Sequence, residues 1–176
     1  DHIRTVDIEL FDGLNTAMSV LLALVKHDDH KRRAATDYHL AKFFASATVD
    51  YSRYNQDIIR ALLISFDDSD KEVVKAAWTA LSEFTKHLKK EEMEALVQST
   101  RQILQHVGVA GANLPGFALP KGINAILPIF LQGLMNGTPE QRTQSALAIS
   151  DIVDRTSGDS LKPFVTQITG PLIRVV

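Results

Sequence analysis

The chain has no cysteine among its 176 residues. Disulfide bonds, thiolate nucleophiles and cysteine-ligated zinc sites are therefore excluded. The chain also lacks a strong excess of one charge, because its formal net charge is −2. With no overall attraction to nucleic acid or to an anionic membrane, any such contact has to come from a local cluster of charges.

Long hydrophobic runs are missing as well. The longest extends from Ala17 to Val25 and is interrupted by Ser19, whereas a helix needs roughly 20 apolar residues to cross a bilayer. The first residues, Asp1-His-Ile-Arg, have neither the basic region nor the apolar segment of a signal peptide. We therefore expect no membrane contact.

Motifs of catalysis are absent too. The sequence contains no Gly-Lys-Ser/Thr phosphate loop, no Gly-x-Ser-x-Gly elbow and no His-Glu-x-x-His zinc helix. The acidic pairs Glu91/Glu92 and Asp67/Asp68 fall at expected helix starts and turns, where capping explains them. We therefore expect a protein that is not an enzyme and that has no cofactor and no small-molecule substrate.

What the sequence does contain is a clear helical pattern around positions 68–81. An apolar helix ends at Phe66, a polar turn follows, and an alanine-rich helix begins after Asp70, which is a suitable N-cap. Apolar residues then recur three or four positions apart, which predicts a single buried stripe; they are Val74, Ala77, Leu81, Phe84 and Leu88.

Similar spacing predicts helices elsewhere, and no segment shows a strand pattern. The expected helices start at Asp12 as N-cap, at about His30, at about Lys89, at about Ile123, after the cap Thr138 and at about Leu161. Gly108 is the expected C-terminal stop of the helix from Lys89 to Val107.

The turn and the alanine-rich helix recur, which indicates a repeat. Aligning Leu40, Leu81 and Ile149 gives offsets of 41 and 68 residues. The first lies in the HEAT/armadillo range, and an inserted helix and loop would explain the second. We predict an all-α, HEAT/armadillo-like α-solenoid fragment forming one domain over 1–176. Its units are about 12–50, 55–88 and 122–157, with an insertion at 89–121 and a further repeat starting over 159–176.

Arginine occupies the same position in two of the three aligned segments. Arg33 and Arg142 correspond to Val74 of the middle segment. HEAT units often place Arg here and Asp in the turn, where the two stack between adjacent repeats. We therefore expect a structural pair where the arginine is kept.

The densest basic cluster is a candidate nucleic-acid contact. It comprises Lys26, His30, Lys31, Arg32 and Arg33, and clustered cations bind phosphate without regard to sequence. Two aspartates inside the cluster reduce its charge, so a solvated helix start is the favoured alternative. A metal site at His27 and His30 is disfavoured, since no third ligand is nearby in sequence.

The long Gly/Pro segment 108–122 is a candidate partner-binding loop. It carries Leu114, Phe117 and Leu119, and exposed apolar side chains in such a loop are typical interaction hot spots. The favoured alternative is that they fill the groove between the inserted helix and the third unit.

The third unit resembles a known family. The motifs that carry the likeness are Leu114-Pro-Gly-Phe, Leu119-Pro-Lys-Gly, Ile126-Leu-Pro, Gly137-Thr-Pro-Glu-Gln, Ile168-Thr-Gly-Pro-Leu-Ile-Arg174 and, less strongly, Trp78-Thr-Ala-Leu with Lys86. They are similar to those of the very large HEAT-repeat activators of the initiation-factor-2-alpha kinase, the general control non-derepressible activators. The likeness is good from Ala61 to Val176 and loose over the first 60 residues.

The resemblance implies a cytoplasmic scaffold that sits on ribosomes and activates the kinase when amino acids are scarce. Its implied partners are that kinase and the ribosome, with contact to rRNA as a further possibility. The family's kinase-binding region docks an RWD domain toward the C-terminal part, and this segment is expected just before it or at its edge. No kinase-contacting residue can be carried over. A transport-type solenoid that binds cargo would have the same fold, and only the resemblance speaks against it.

Overall fold

A computed structural model describes residues 2–109, 112–118 and 120–156, with backbone only for 2–12 and 120. The helices are α1 His2–Leu24, α2 His30–Ser46, α3 Asn55–Phe66, α4 Lys71–Lys86, α5 Lys90–His106, α6 Pro120–Asn136 and α7 Pro139–Asp154. Short 3-10 turns occur at Ser52–Tyr54 and Pro115–Phe117. Over these ranges the fold is all-α, as predicted, and no helix is long and apolar enough to span a bilayer.

Helix α4 is the centre of the array. It packs against α2, α3 and α6, and Asp70 caps its first turn by accepting from the backbone N–H groups of Glu72 and Val73. Four of the five predicted stripe residues are buried, whereas Leu88 follows the end of the helix and is partly buried. A second row of mainly small residues is buried too; together the buried positions are Val73, Val74, Ala76, Ala77, Trp78, Ala80, Leu81, Phe84 and Thr85. The small side chains permit close approach of neighbouring helices on several sides.

The helices stack in two layers. Helix α2 packs on α4 and α4 packs on α6, while α1 packs on α3 and α3 on α5. Ala34 clusters with Val73 and Ala76 near the starts of α2 and α4, and the rings of Phe44 and Phe84 lie 5.2 Å apart near their ends. Helices α2 and α4 are therefore parallel and in register, as in an α-solenoid.

Helix α5 continues the layer of α3, and this placement was not apparent from the repeat alignment. The alignment treated α5 as an insertion and grouped α6 with α7. In the structure α5 packs on α3 and α6 packs on α4, while α7 packs against both α5 and α6. The packing thus pairs α5 with α6 in the same way as α3 with α4. The division into units at 12–50, 55–88 and 122–157 stays a prediction.

The helix boundaries follow the expected signals in most places. Gly108 has a positive φ of 64° just after α5, which glycine adopts at little cost. Thr138 caps α7, with Pro139 in its first turn. The prediction of an N-cap at Asp12 was wrong, because α1 continues through this residue. The expected final helix and the repeat start over 159–176 lie outside the described residues.

Candidate partner-binding surfaces

The cations of the basic cluster at the start of α2 differ in how far they are held by the fold; Arg33 is paired with a carboxylate, whereas Arg32 only approaches Nε2 of His27 at 3.5 Å. The guanidinium of Arg33 donates to both carboxylate oxygens of Asp68, at 2.8 and 3.2 Å. It also donates to the backbone carbonyls of His27 and Asp28. Arg33 is thus the structural pair expected from the repeat, whereas Lys31 and Arg32 are exposed. The exposed lysine and arginine side chains of the cluster are thus Lys26, Lys31 and Arg32, and only Arg33 is taken up by a structural pair.

Two histidines here, His30 of the cluster and His27 next to it, have partners within the fold. The Nδ1 of His27 accepts from the backbone N–H of Asp29. The Nδ1 of His30 lies 3.0 Å from a carboxylate oxygen of Asp70. The two rings therefore support the turns that precede α2 and α4.

Further exposed cations lie on α2 and on its neighbour α4. Exposed lysines on α2 and α4 are Lys42, Lys71, Lys75 and Lys86. Against them stand Glu72, which is paired with Lys75 at 3.5 Å, and the partly buried Glu83, which faces His87. Exposed cations therefore outnumber carboxylates along α2 and α4, which we call the positive layer, while the exposed Asp28 and Asp29 in the turn before α2 offset part of the charge of Lys31 and Arg32.

The loop residues proposed from the sequence are packed inside the molecule. Leu114 is 2% exposed and Phe117 is fully buried, with its ring edge-on to that of Phe66 at 5.7 Å. The turn Pro115–Phe117 packs against α3, α4 and α6. This arrangement favours the alternative in which the loop fills a groove. Leu119 lies outside the described residues.

One hydrogen bond and two close backbone approaches hold the loop in place. The indole N–H of Trp78 donates to the carbonyl of Gly116 at 2.7 Å. A Cβ at Gly116 would lie 2.2 Å from the ring of Phe66, and a Cβ at Gly122 would lie 1.5 Å from the Gly116 carbonyl. Glycine is therefore required at both positions, and the loop is a built part of the core.

Arg155 organises the other end of this loop, a role the sequence did not suggest. Its buried guanidinium donates to the backbone carbonyls of Leu104, Val109 and Ala112, at 2.7 to 2.8 Å. Its own carbonyl accepts from the N–H of Leu114. A cation at the C-terminal end of α5 is favoured by the helix dipole, so Arg155 caps α5 and ties the loop to the end of α7. Its only sequence signal was its place two residues after Val153, the last apolar residue of that helix.

A second group that the sequence did not reveal is Asp37 on α2. This aspartate is fully buried, and neither carboxylate oxygen has a hydrogen-bond partner among the described residues. Burial raises the pKa of the Asp37 carboxyl to about 7, and the negative charge of Asp68 adds to the rise, while the Ser65 hydroxyl opposes it. Asp37 has no opening to solvent and cannot contact a ligand, so its raised pKa does not make it a binding or catalytic site.

The predicted site residues therefore do not form one surface. Lys31 and Arg32 are exposed on α2, whereas Leu114 and Phe117 are buried beneath α6. An open cleft that the sequence did not indicate lies on the other layer, between the turn before α3 and the first turns of α5. A partner thus has two chemically different surfaces available: a positive layer over α2 and α4, and a polar cleft beside α3 and α5.

Comparison with known proteins agrees with this architecture. The sequence model of the family described as "Stalled ribosome sensor GCN1-like, HEAT repeats" matches residues 3–121. The match includes the first 60 residues, over which the quoted motifs had given only a loose likeness.

Relatives that align with almost the whole of this chain give the same result. The chain is 41% identical over 165 residues to "eIF-2-alpha kinase activator GCN1" of Saccharomyces cerevisiae, covering 94% of this chain and 6% of that protein. It is 33% identical over 174 residues to "Stalled ribosome sensor GCN1" of Homo sapiens, covering 97% and 6%. It is 31% identical over 173 residues to "Protein ILITYHIA" of Arabidopsis thaliana, covering 94% and 6%. The chain thus spans about 6% of the length of these relatives, and it belongs to the GCN1-like HEAT-repeat family, as a segment of such a protein.

Proposed function

We propose that this chain is a non-enzymatic scaffold segment of a ribosome-associated, cytoplasmic activator of the amino-acid-starvation kinase. In this role it mediates protein–protein contacts in translational control. The observation that carries the proposal is the family match, together with relatives named as a stalled-ribosome sensor and as kinase activators. The fold supports it, because a stack of helices offers long surfaces to partners.

The surfaces described above fit a scaffold better than a chemical site. The strongly perturbed carboxyl, Asp37, is sealed inside the stack. The loop carrying Leu114 and Phe117 is fixed by core packing, so it shapes the array instead of moving over a substrate. The accessible surface carries charged side chains together with scattered large apolar ones such as Val20 and Leu147, which suits recognition of macromolecules.

Retention assays test this proposal directly. The tagged 176-residue chain, and a longer segment of the same protein that contains it, are incubated with purified ribosomes and separately with the RWD domain of the kinase. We expect retention of ribosomes or of the RWD domain by at least one of the two. Failure of both proteins to retain either partner would remove the proposed function.

A second candidate function is direct contact with rRNA through the positive layer. The observation that favours it is the exposure of Lys31 and Arg32 beside the lysines of α4. Each phosphate contact contributes a slope of about −0.9 to the dependence of log affinity on log salt for duplexes. We expect duplex RNA to bind with a steep salt dependence that is reduced in the double variant Lys31→Glu/Arg32→Glu.

The matched control for the RNA experiment is Lys89→Glu/Lys90→Glu. It makes the same charge change at two adjacent residues of a helix start, but on the other layer. Arg33 is left intact, because reversing its charge would break its pair with Asp68. A loss of folding could then not be told from a loss of RNA binding. A flat salt response, or an equal loss in both double variants, would exclude this candidate.

A further inference from the structure

The turn between α6 and α7 contains a chemically reactive pair of residues, Asn136 and Gly137. The chain has five asparagines, and only Asn136 is followed by a glycine. Asn136 is the last residue of α6, and its side chain is exposed to water. The proposed scaffold function makes no use of this pair, so its chemistry stands apart from that function.

An asparagine followed by glycine can lose its side-chain amide without any other reactant than water. The backbone nitrogen of the glycine gives up its proton and attacks Cγ of the asparagine. A new N–C bond closes a five-membered succinimide ring, and the side-chain amide leaves as ammonia. Water then opens the ring at one of its two carbonyls, which gives either aspartate or isoaspartate. Glycine favours the attack, because it has no Cβ to restrict its backbone or to shield its nitrogen.

The fold holds the nitrogen that would attack in a hydrogen bond. The N–H of Gly137 donates to the carbonyl of Gly133 at 3.0 Å, as in a regular turn of helix. This bond points the N–H back along α6, whereas the side chain of Asn136 faces solvent. The nitrogen can therefore reach Cγ of Asn136 only after the last turn of α6 has opened, as helix ends do locally.

A contact from α7 keeps the same turn closed. The Nε of Arg142 donates to the carbonyl of Gly137 at 3.1 Å. Thr138, the cap of α7, accepts from the backbone N–H of Gln141, whose side chain in return accepts from the N–H of Thr138. The start of α7 thus limits how often the end of α6 opens.

Close packing requires the glycine of this pair. A Cβ at position 137 would lie 2.4 Å from the carbonyl oxygen of Gly133 and 2.8 Å from Cβ of Gln141. Both distances are too short for a real Cβ contact, so no larger residue fits here without a shift of the backbone. The tight turn therefore brings with it the one neighbour that makes Asn136 reactive.

We propose that Asn136 is a site of spontaneous deamidation and isoaspartate formation, at a rate set by opening of the last turn of α6. Both products place a carboxylate at the C-terminal end of α6, where the helix dipole opposes a negative charge. Isoaspartate also adds one carbon to the backbone, which moves the N–H of Gly137 out of line with the carbonyl of Gly133. The modification thus loosens the connection between α6 and α7.

Timed incubation followed by peptide mass spectrometry tests the proposal. The 176-residue chain and a blocked synthetic peptide of residues 131–142 are kept side by side at physiological pH and temperature. Cleavage after Lys121 and Arg142 gives a fragment that holds both Asn136 and Asn124, which precedes an alanine and serves as the internal control. We expect conversion at Asn136 to exceed that at Asn124, and to be at least about tenfold slower in the folded chain than in the synthetic peptide.

Substitutions around the turn test whether its opening sets the rate. Arg142→Ala removes the contact with the Gly137 carbonyl, and we expect it to speed conversion of Asn136 about threefold. Arg60→Ala replaces another exposed arginine, on α3, and should leave the rate unchanged within about 1.5-fold. Thr138→Ala removes the cap of α7 and serves if Arg142→Ala does not fold. Asn136→Gln should abolish the conversion, because its ring would need a sixth member.

The converted protein carries one more negative charge, so ion exchange separates it from the original. We expect the amide proton of Gly137 to exchange with solvent at least about threefold faster in the isoaspartate form. Equal exchange in the two forms would contradict a loosened connection between α6 and α7.

Three further results would overturn the proposal. One is an unchanged Asn136 in the folded chain while the synthetic peptide is converted. Another is an equal rate in the chain and in the peptide, since opening of α6 would then not be limiting. The third is an equal rate in Arg142→Ala, Thr138→Ala and Arg60→Ala. The proposed function is judged separately by the retention assays, and neither result bears on the other.

Discussion

Arg33 and Asp68 form a two-pronged ion pair that joins the turn before α2 to the turn before α4. Its N–O distances are 2.8 and 3.2 Å, and both side chains are mostly buried. Asp68 also accepts from the backbone N–H of Asp70, the cap of α4. A single guanidinium thus connects two successive helical units through their turns, and its remaining donors hold the carbonyls of its own turn.

Replacing Arg33 with alanine removes this connection. We expect the free energy of unfolding to fall by about 2–4 kcal/mol, because Asp68 is left as a partly buried charge without its main partner. The exposed neighbour Arg32→Ala is the control, with an expected change within about 0.5 kcal/mol. Urea unfolding followed by circular dichroism measures both, and equal effects would show that the pair does not stabilise the array.

The structural role of Arg33 was predictable from the sequence, and so was the residue type of its partner. Which aspartate it pairs with was not. The repeat alignment marked the position of Arg33, and the usual pairing in HEAT units of an arginine here with an aspartate of a neighbouring turn supplied the kind of partner to expect. Which of the three aspartates in that turn accepts depends on how the backbone turns, and this is a tertiary property. Asp70 is used as a cap and Asp68 takes the arginine.

The buried carboxyl of Asp37 predicts a specific dependence of stability on pH. Its pKa is about 7 in the folded chain, against 3.8 for an unperturbed aspartate. Below both values the carboxyl is protonated in both states. Between them only the unfolded chain releases its proton, so the free energy of unfolding falls as pH rises from about 4 to about 7 and is level above that.

The variant Asp37→Asn has no titrating carboxyl at this position, so its free energy of unfolding lacks this dependence on pH. We expect its stability relative to the unmodified chain to rise by roughly 2–4 kcal/mol between pH 4 and pH 8, at about 1.4 kcal/mol per pKa unit. The control is Asp57→Asn, which makes the same carboxyl-to-amide change at a side chain that is 55% exposed. Urea midpoints at several pH values give both differences, and a flat difference for Asp37→Asn would contradict the burial argument.

Arg155 yields a prediction about the long loop. Arg155→Met keeps much of the side-chain volume but leaves the carbonyls of Leu104, Val109 and Ala112 without their donor. We expect a loss of about 3 kcal/mol and faster amide exchange of Leu114, whose N–H is bound to the Arg155 carbonyl.

The graded variant Arg155→Lys separates charge from geometry. It retains a cation at the end of α5 but cannot reach three carbonyls with a planar fork. Its stability should therefore fall between those of the unmodified chain and Arg155→Met, as followed by hydrogen exchange and urea unfolding. If Arg155→Lys were as stable as the unmodified chain, the positive charge alone would be enough to hold the loop and the end of α5 in place.

Local signals in the sequence account for the helices, while the sites depend on contacts between distant segments. Caps at Asp70 and Thr138 and the stop at Gly108 were readable because each acts within a few residues. The cleft beside α3 and α5 was not, since the hydrogen bond from Asn55 to Glu92 within it joins residues 37 positions apart. The placement of Leu114 was open for the same reason: a Gly/Pro loop looks identical in sequence whether it covers a groove or projects from it.

Gly116 provides a direct test that the loop is part of the core. Gly116→Ala places a Cβ 2.2 Å from the Phe66 ring, and we expect a loss of about 1–3 kcal/mol from overpacking. Displacement of the loop should also remove the hydrogen bond from Trp78 to the Gly116 carbonyl, so the emission of this single tryptophan should shift to longer wavelength.

The matched control is Gly13→Ala in α1, where a Cβ meets nothing within 4 Å. There alanine should raise stability by about 0.5–1 kcal/mol, because it favours the helix over the unfolded chain. Urea unfolding monitored by tryptophan fluorescence measures both changes; if Gly116→Ala matched Gly13→Ala in stability and in emission, the loop would have to be a loosely attached cover instead of a packed element.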